Sequence, residues 1–246
     1  WEFPPHISGG LGTACYGLTK GLARLKDINV TFVVPKAYGD EDQSTMKLIG
    51  ANNVTVKQIK KHVSIFSDKI QFLEVDAHIV PYTTPEEYFK VTDQTRTRKN
   101  KLFLTDEKGK ISFSGKYGAN LIEEIYNYAY VASVISYENE HDAIHAHDWL
   151  AYPAGIAAKE ISGKPLIIHV HATDFDRSGG SVNPQVYNIE KMGMDAADKI
   201  ITVSNLTRNI VIEKYGIDPA KIITVYNAVE PISEEEKIQI RKGVDE

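Results

Sequence analysis

Strand and helix patterns alternate through the second half of this 246-residue chain, and that alternation limits the possible folds most strongly. Apolar residues recur at helical spacing from Leu121 to Ile135, and an apolar run at Leu166–Val170 predicts a buried strand. Further strands are predicted at Ala143–Ala146, Lys199–Val203 and Ile222–Tyr226, further helices near Tyr152–Ile161, Val186–Ala197 and Leu206–Tyr215, a Gly/Ser-rich loop at Arg177–Ser181, and a final charged helix at Glu234–Lys242. Strands separated by such helices form a parallel sheet covered on both faces. The sequence therefore predicts an α/β fold, a Rossmann-like doubly wound parallel sheet.

A glycine-rich loop opens the chain. An aromatic, proline-stiffened segment, Trp1–Pro5, precedes Gly9-Gly10-Leu11-Gly12, and leucines at helical spacing predict a helix from Gly9 to about Lys26. Glycines at a loop-to-helix junction let the backbone approach a ligand closely, and the helix N-terminus favours an anion. We interpret this loop as a phosphate site. Because such a loop normally follows a buried strand, we expect a first strand upstream of Trp1.

The region between the first helix and residue 118 has a different pattern. A β-rich run at Ile28–Val34 ends at Pro35. A hairpin is predicted at Phe103–Phe113, with its turn at residues 106–109. Short β-prone pieces lie within Lys36–Asp76, at Val54–Ile59, Val63–Phe66 and Ile70–Val75. We therefore predict a β-hairpin-rich insertion in the α/β domain.

Composition excludes several classes of protein. A net charge of −5 argues against non-specific nucleic-acid binding, which needs a basic surface. Cys15 is the one cysteine of the sequence, so the chain can form no internal disulfide, which fits a reducing compartment. The sequence contains no run of 18 apolar residues. We predict a cytoplasmic protein without nucleic-acid or membrane partners.

Histidines mark the ends of two consecutive predicted strands. The sequence reads His145-Ala146-His147-Asp148-Trp149 at the first and His169-Val170-His171-Ala172-Thr173-Asp174 at the second. Ligands of parallel sheets bind outside the carboxyl ends of the strands, which is the edge where the glycine-rich loop should also open. A single strand-end histidine is commonly a hydrogen-bonded structural residue, but two His-x-His pairs facing an anion loop predict a functional site.

Three kinds of site fit this edge unequally. A nicotinamide-dependent dehydrogenase needs an acidic residue at the end of the second strand, where this sequence has Pro35 and Lys36. A metallohydrolase could use the histidines with Asp148 and Asp174, but neighbouring strand residues point to opposite faces, so His147 and Asp148 would not readily chelate one ion. A nucleotide-sugar transferase needs a pyrophosphate cradle, polar groups around a sugar and no protein nucleophile. These residues fit that third class best.

Several motifs follow one another along the chain in a fixed order. They are Trp1-Glu2-Phe3-Pro4-Pro5, Gly9-Gly10-Leu11-Gly12, His147-Asp148-Trp149, the strand-end His171, Ile200–Ser204 and Val225–Val229, with Pro81-Tyr82 and Tyr117-Gly118 as less distinctive additions. Together they resemble the N-terminal half of the glycogen and starch synthases and their close retaining glycosyltransferase relatives. The resemblance spans nearly the whole chain.

The resemblance implies the GT-B architecture, in which two Rossmann-like domains face a cleft. Residues 1–228 would form the N-terminal, acceptor-side domain, and residues 229–246 would be the crossover linker and helix toward an absent C-terminal domain that holds most of the donor. The implied reaction is transfer of glucose from ADP- or UDP-glucose to an α-1,4-glucan with retention, in glycogen synthesis. The nucleotide-sugar is a substrate, and no cofactor or metal is implied. This half alone is expected to be inactive.

The resemblance also implies roles for single residues. Gly9 and Gly10 would offer backbone N–H groups to the donor phosphate. The catalytic candidates are His171, which would contact the transferring glucose, and Asp148, which would lie on the acceptor side of the cleft. Aromatic rings stack on sugar faces, so the candidate glucan contacts are Trp149, Tyr82 and Tyr117.

One departure from the family pattern leaves the donor open. The related enzymes commonly carry a phosphate-binding lysine where this sequence has Ile7, so the choice between ADP- and UDP-glucose is not fixed. Three alternatives stand beside the glucan synthase: a related retaining transferase with a small sugar or sugar-phosphate acceptor, a glucan-binding module without catalysis, and a metal-dependent hydrolase.

Overall fold

The computed structural model describes residues 1–6, 9–55, 109–118 and 120–228. Within these ranges the helices are α1 (Gly10–Leu22), α2 (Leu121–Glu138), α3 (Tyr152–Ser162), α4 (Asp174–Ser178), α5 (Pro184–Ala196) and α6 (Asn205–Tyr215). The strands are β1 (Thr31–Val34), β2 (Lys47–Gly50), β3 (Ile144–His147), β4 (Leu166–Val170), β5 (Lys199–Thr202) and β6 (Ile222–Thr224).

All strand pairs among these elements are parallel. One sheet has the order β3-β4-β5-β6, and β1 pairs with β2 in a second sheet. Helix α3 connects β3 to β4, helices α4 and α5 connect β4 to β5, and α6 connects β5 to β6. Parallel neighbours need such crossovers. The predicted α/β fold with a parallel sheet is confirmed.

Most predicted element bounds in this sheet agree with the structure to within one or two residues. Strand β4 has the predicted bounds, whereas β3, β5 and β6 shift slightly at one or both ends. The first helix ends at Leu22 and β1 begins at Thr31, so both are shorter than their sequence patterns. Apolar spacing continues past the point where the chain leaves the helix.

Two elements differ from prediction. Strand β2 lies where hairpins were predicted, but it pairs in parallel with β1, with Phe32 opposite Leu48. Helix α4 begins within a segment for which no helix was predicted and ends in the predicted Gly/Ser-rich loop. A capping box starts it, in which the Thr173 backbone N–H and hydroxyl donate to the Asp176 carboxylate.

Several predictions lie outside the described residues. They concern Tyr82, the β-prone pieces after residue 55, the part of the predicted hairpin before Gly109, and the linker and helix of residues 229–246. At the border, Thr55 and Lys110 form an isolated antiparallel bridge.

Close packing of α3 against the sheet fixes the strand ends that carry the histidines. A Cβ placed on Gly155 of α3 would lie 2.8 Å from the Ala146 Cβ and 2.9 Å from a methyl of Leu166. Only glycine permits this approach, because interiors are packed too densely to absorb an added methyl. Ile168 and Val170 are fully buried on β4.

A search of the helices for a membrane span gives a negative result: in the described ranges, none combines the length and the apolar character needed to cross a bilayer.

Candidate functional site

The register of β3 and β4 brings the two His-x-His pairs together. His147 lies opposite His169 in the parallel ladder, and residues two apart on a strand share a face. His145, His147, His169 and His171 therefore project from the same face of the sheet, and we call them the imidazole cluster.

The four rings of the imidazole cluster are in contact. Ring centroids lie 4.2 Å apart for His145 and His147, 4.9 Å for His147 and His169, and 4.3 Å for His169 and His171. His147 Nδ1 and His171 Nε2 are 3.0 Å apart and form a hydrogen bond. The predicted convergence of these side chains is thus present in the structure.

The cluster is uncharged at neutral pH. Burial is the main cause that lowers the pKa of His169, from 6.5 to about 3, and it lowers the pKa of His147 well below its ordinary value. The pKa of His171 is also lowered by burial, against an opposing effect of Asp148. His145 is an exposed residue, yet its pKa is lowered to about 4, chiefly by desolvation of the ring among its neighbours and then by His171. Neutral imidazoles retain one lone pair each, for hydrogen bonding or metal binding.

His169 stands out within the cluster. It is 6% exposed, and neither of its ring nitrogens has a hydrogen-bond partner within the part of the chain that the structure describes. Buried polar groups are nearly always satisfied, because leaving one without a partner costs about 1–3 kcal/mol. Burying the His169 ring without hydrogen bonds lowers the stability of the fold, so its position needs an explanation other than folding.

Asp148 positions the backbone that carries His171. Its Oδ1 accepts hydrogen bonds from the backbone N–H of His171 at 3.0 Å and of Ala172 at 3.5 Å. Burial raises the pKa of Asp148, while His171 and Arg177 oppose that shift. Its φ of 59° and ψ of 166° lie in a region that is almost restricted to glycine. The strained backbone and these contacts place Asp148 as a support for His171; no contact with a substrate follows from them.

A second polar group lies behind Asp148, and sequence reasoning did not identify it. Arg177 donates to Glu190 at 2.5 Å and to the Ala172 carbonyl at 3.0 Å, while Tyr215 and the backbone N–H of Asp174 also donate to Glu190. We call Arg177, Glu190 and Tyr215 the arginine–glutamate network. Glu190 is 1% exposed, and burial raises its pKa to about 7 despite these partners. The sequence gives no local sign of this pairing, since its three members lie on three helices or their ends.

Helix α1 lies against the same region. Gly9 is the N-cap, the first turn of α1 has no acidic residue, and a Cβ on Gly10 would meet no atom within 4 Å. Cys15 of α1 has its Sγ within 4.8 Å of ring nitrogens of His147 and His171. The predicted anion loop therefore belongs to a helix that reaches the strand-end histidines.

Glu2 is a further site residue that sequence reasoning did not single out. Its Oε2 accepts the Gly9 N–H at 3.1 Å and its Oε1 accepts the Tyr117 hydroxyl at 2.7 Å. The Gly9 N–H predicted to serve a phosphate thus already binds a carboxylate. An acid between the aromatic Trp1 and Phe3, seven residues before Gly9, was the available signal.

The two predicted glucan-contacting aromatic residues in the described ranges differ in exposure. Trp149 is 2% exposed and packs within the main core, so its ring offers no face to a glucan. That burial counts against the predicted glucan contact of Trp149. Tyr117 is 42% exposed and its hydroxyl binds Glu2, which leaves its predicted contact open to test.

Comparison with known proteins agrees with the α/β fold and covers the strands that carry both His-x-His pairs. The sequence profile of Glycosyltransferase Family 4 matches residues 108–232, which include the strands and helices around both His-x-His pairs. The chain belongs to glycosyltransferase family 4.

Relatives of several kinds share parts of this sequence. An uncharacterized glycosyltransferase of Methanocaldococcus jannaschii is 25% identical over 99% of this chain and 50% of its own length. A glycogen synthase of Mycobacterium tuberculosis is 29% identical over 36% of the chain and 22% of its own length. D-inositol 3-phosphate glycosyltransferase 2 of Catenulispora acidiphila is 30% identical over 42% of the chain and 26% of its own length. The chain thus spans half, or less, of the length of each of these relatives.

Proposed function

We propose that this chain is the acceptor-side part of a retaining GT-B glycosyltransferase that moves glucose from ADP- or UDP-glucose to an α-1,4-glucan. The observation that carries the proposal is that α1, a helix with Gly9 as its N-cap, packs through Cys15 within 4.8 Å of the neutral His171 at the carboxyl edge of a parallel sheet. The family membership and the glycogen synthase relative support it.

The proposed chemistry follows from the charges at this edge. The leaving nucleotide carries negative charge, which backbone N–H groups and the positive end of α1 stabilise as it develops. Gly10 has the open backbone for this contact, whereas Gly9 becomes available when its bond to Glu2 opens. His171, held by His147 and by the Asp148-bound backbone, offers a neutral imidazole to a sugar hydroxyl.

A second, nucleotide-binding domain is part of the proposal. The pyrophosphate cations and most donor contacts would come from it, so this chain alone is expected to bind nucleotide-sugar weakly and to show no turnover. We also propose that the reaction takes place in the cytoplasm and requires no cofactor.

A second candidate acceptor is a small sugar or sugar phosphate. Three relatives are named D-inositol 3-phosphate glycosyltransferases. The burial of Trp149 favours this candidate as well, because it removes one of the aromatic faces on which a glucan would stack.

The test is a radiolabelled glucose-transfer assay with a panel of acceptors. The full-length protein that carries this chain is incubated with ADP-glucose or UDP-glucose and either maltoheptaose, glycogen, inositol phosphate or glucose 6-phosphate. Label in maltoheptaose and glycogen, with the α configuration in the product, is expected. Label only in a phosphorylated small acceptor would replace the first candidate with the second.

Three controls separate the remaining alternatives. Turnover by this chain alone would contradict the proposed division into two domains. Co-sedimentation with glycogen in the absence of any transfer activity would instead support a glucan-binding module without catalysis. Phosphate or sugar release without an acceptor, dependent on added metal, would support a hydrolase.

A further inference from the structure

Three members of the imidazole cluster also form a group of possible metal ligands, which the transferase chemistry does not require. One ring nitrogen from each of His145, His147 and His169 lies within 4.8 Å of the other two. His145 and His169 are not needed to hold His171, whose hydrogen bond goes to His147. The two unpartnered nitrogens of the buried His169 point to a ligand that completes this triad.

The triad matches the needs of a borderline divalent metal ion. Imidazole nitrogens bind Zn²⁺, Cu²⁺ and Ni²⁺ well, and three protein ligands with one open position form a recurrent zinc arrangement. Zn–N distances of about 2.0–2.1 Å in a tetrahedron place ligand nitrogens about 3.3 Å apart. Rotation about the broad terminal torsion of the histidines can close the present separations to that value. Because His145 is exposed, the ion can reach the triad from solvent.

We propose that His145, His147 and His169 form a binding site for a borderline transition metal, with Zn²⁺ as the ion to test. The site contains no carboxylate, and so differs from the histidine–aspartate set that the sequence suggested for a hydrolase. Asp148 is excluded from it because its Oδ1 binds the backbone N–H groups of His171 and Ala172. The site neither needs nor implies the proposed glucose transfer.

Two other groups of possible ligands fit less well. Cys15, His147 and His171 also lie within 4.8 Å of one another, but Cys15 is buried and the His147–His171 pair is already hydrogen-bonded. His6, Asp40 and Glu41 form a group near the surface, in which Asp40 accepts from His6 at 2.8 Å and Glu41 accepts from two backbone N–H groups. Of these groups, only the proposed triad contains a buried ring with two unpartnered nitrogens in the described part of the chain.

Metal titration of the intact chain tests the site. After chelator treatment, Zn²⁺ binding is measured by calorimetry, and Co²⁺ binding by its visible absorption, which reports tetrahedral nitrogen ligation. One ion per chain is expected. Since loss of a partner behind a ligand already weakens metal binding about 10–100-fold, His145→Asn and His169→Asn should each weaken it at least about 10-fold.

Matched variants identify the ligands. His141→Asn removes a histidine that bonds Asn139 and Ser162 away from the cluster, and His6→Asn removes the competing surface group. Both should bind Zn²⁺ like the unaltered chain, as should Cys15→Ser. Absence of stoichiometric binding, unaltered binding in His145→Asn, or loss of binding in Cys15→Ser or His6→Asn would each overturn the proposal.

Thermal unfolding distinguishes a variant that has lost a metal ligand from a variant that fails to fold. Zn²⁺ at about a hundredfold its Kd should raise the Tm of the unaltered chain by about 5 °C or more. His169→Leu should unfold at a similar or higher temperature than the unaltered chain without metal, because it removes a buried unsatisfied group. It should also lose the Zn²⁺-dependent rise. A full Zn²⁺-dependent rise in His169→Leu would contradict the assignment of His169 as a ligand.

Discussion

Glu190 of the arginine–glutamate network and His169 of the imidazole cluster are two buried polar side chains near the same strand end, and they differ in how completely their polar atoms are hydrogen-bonded. Glu190 is surrounded by donors from Arg177, Tyr215 and the backbone of Asp174. His169 has no donor or acceptor for either ring nitrogen among the described residues. Satisfied buried networks fix a structure, whereas an unsatisfied buried group calls for another explanation. The comparison indicates that Glu190 stabilises the fold at this edge of the sheet, whereas His169 is a candidate for a functional role.

Burial favours the neutral form of both Glu190 and His169, but the two pKa shifts make stability depend on pH in opposite directions. Burial raises the pKa of Glu190 to about 7, so the folded chain binds its proton more tightly than the unfolded chain. Burial lowers the pKa of His169 to about 3, so the folded chain binds that proton more weakly. Stability therefore decreases with rising pH through Glu190 and increases with rising pH through His169.

The largest effect is expected where a network charge loses its partner. Arg177→Met should lower the free energy of unfolding by about 3–5 kcal/mol at pH 7, because the buried Glu190 and the Ala172 carbonyl would both lose a hydrogen-bond donor. Urea unfolding measures this change. Arg24→Met, at an exposed position, should change it by less than about 0.5 kcal/mol. Equal effects in the two variants would show that the network is not a structural support.

The loss of stability at acidic pH should depend on His169. Below an unfolded pKa of 6.5 and above a folded pKa of about 3, this residue makes unfolding more favourable as pH falls, by about 1.4 kcal/mol per pH unit. Between pH 6 and pH 4, His169→Leu should therefore lose about 2.5 kcal/mol less stability than the unaltered chain. Urea unfolding at several pH values provides the measurement. Parallel pH curves for the two proteins would mean that His169 is not buried as a neutral ring.

Glu190 should give a smaller effect of opposite sign. Its contribution to stability is present below pH 4.5 and decreases as pH rises toward its folded pKa of about 7. Glu190→Gln removes that titration, so from pH 5 to pH 6.5 it should lose about 1.5–2 kcal/mol less stability than the unaltered chain. The same unfolding series tests this. A steeper loss in Glu190→Gln over that interval would contradict the raised pKa.

The sequence predicted this edge well because its signals are local and periodic. Apolar runs and helical spacing set β3, β4 and their crossover, and parallel pairing then brings His147 and His171 to one edge. It could not predict which groups are satisfied. That property depends on contacts such as Arg177 with Glu190, which join helices that share no sequence pattern. Trp149 shows the same limit, since its position beside Asp148 suggested a surface contact and its ring is in the core.

The β1–β2 region was harder to predict for a different reason. Strand β2 has four residues, begins with Lys47, and lacks a long apolar run that would identify a parallel strand. Only its pairing with β1 gives it that identity.

One measurement tests the proposed function most directly: glucose transfer by the full-length protein that carries this chain, compared with its His171→Ala and His141→Ala variants. Transfer from ADP- or UDP-glucose to maltoheptaose should occur, with kcat lowered at least about 100-fold in His171→Ala. The free energy of unfolding of that variant should change little, and His141→Ala should retain activity. Undiminished transfer by His171→Ala, or no transfer from any nucleotide-sugar by the unaltered protein, would contradict the assignment of this edge as a glycosyltransferase site.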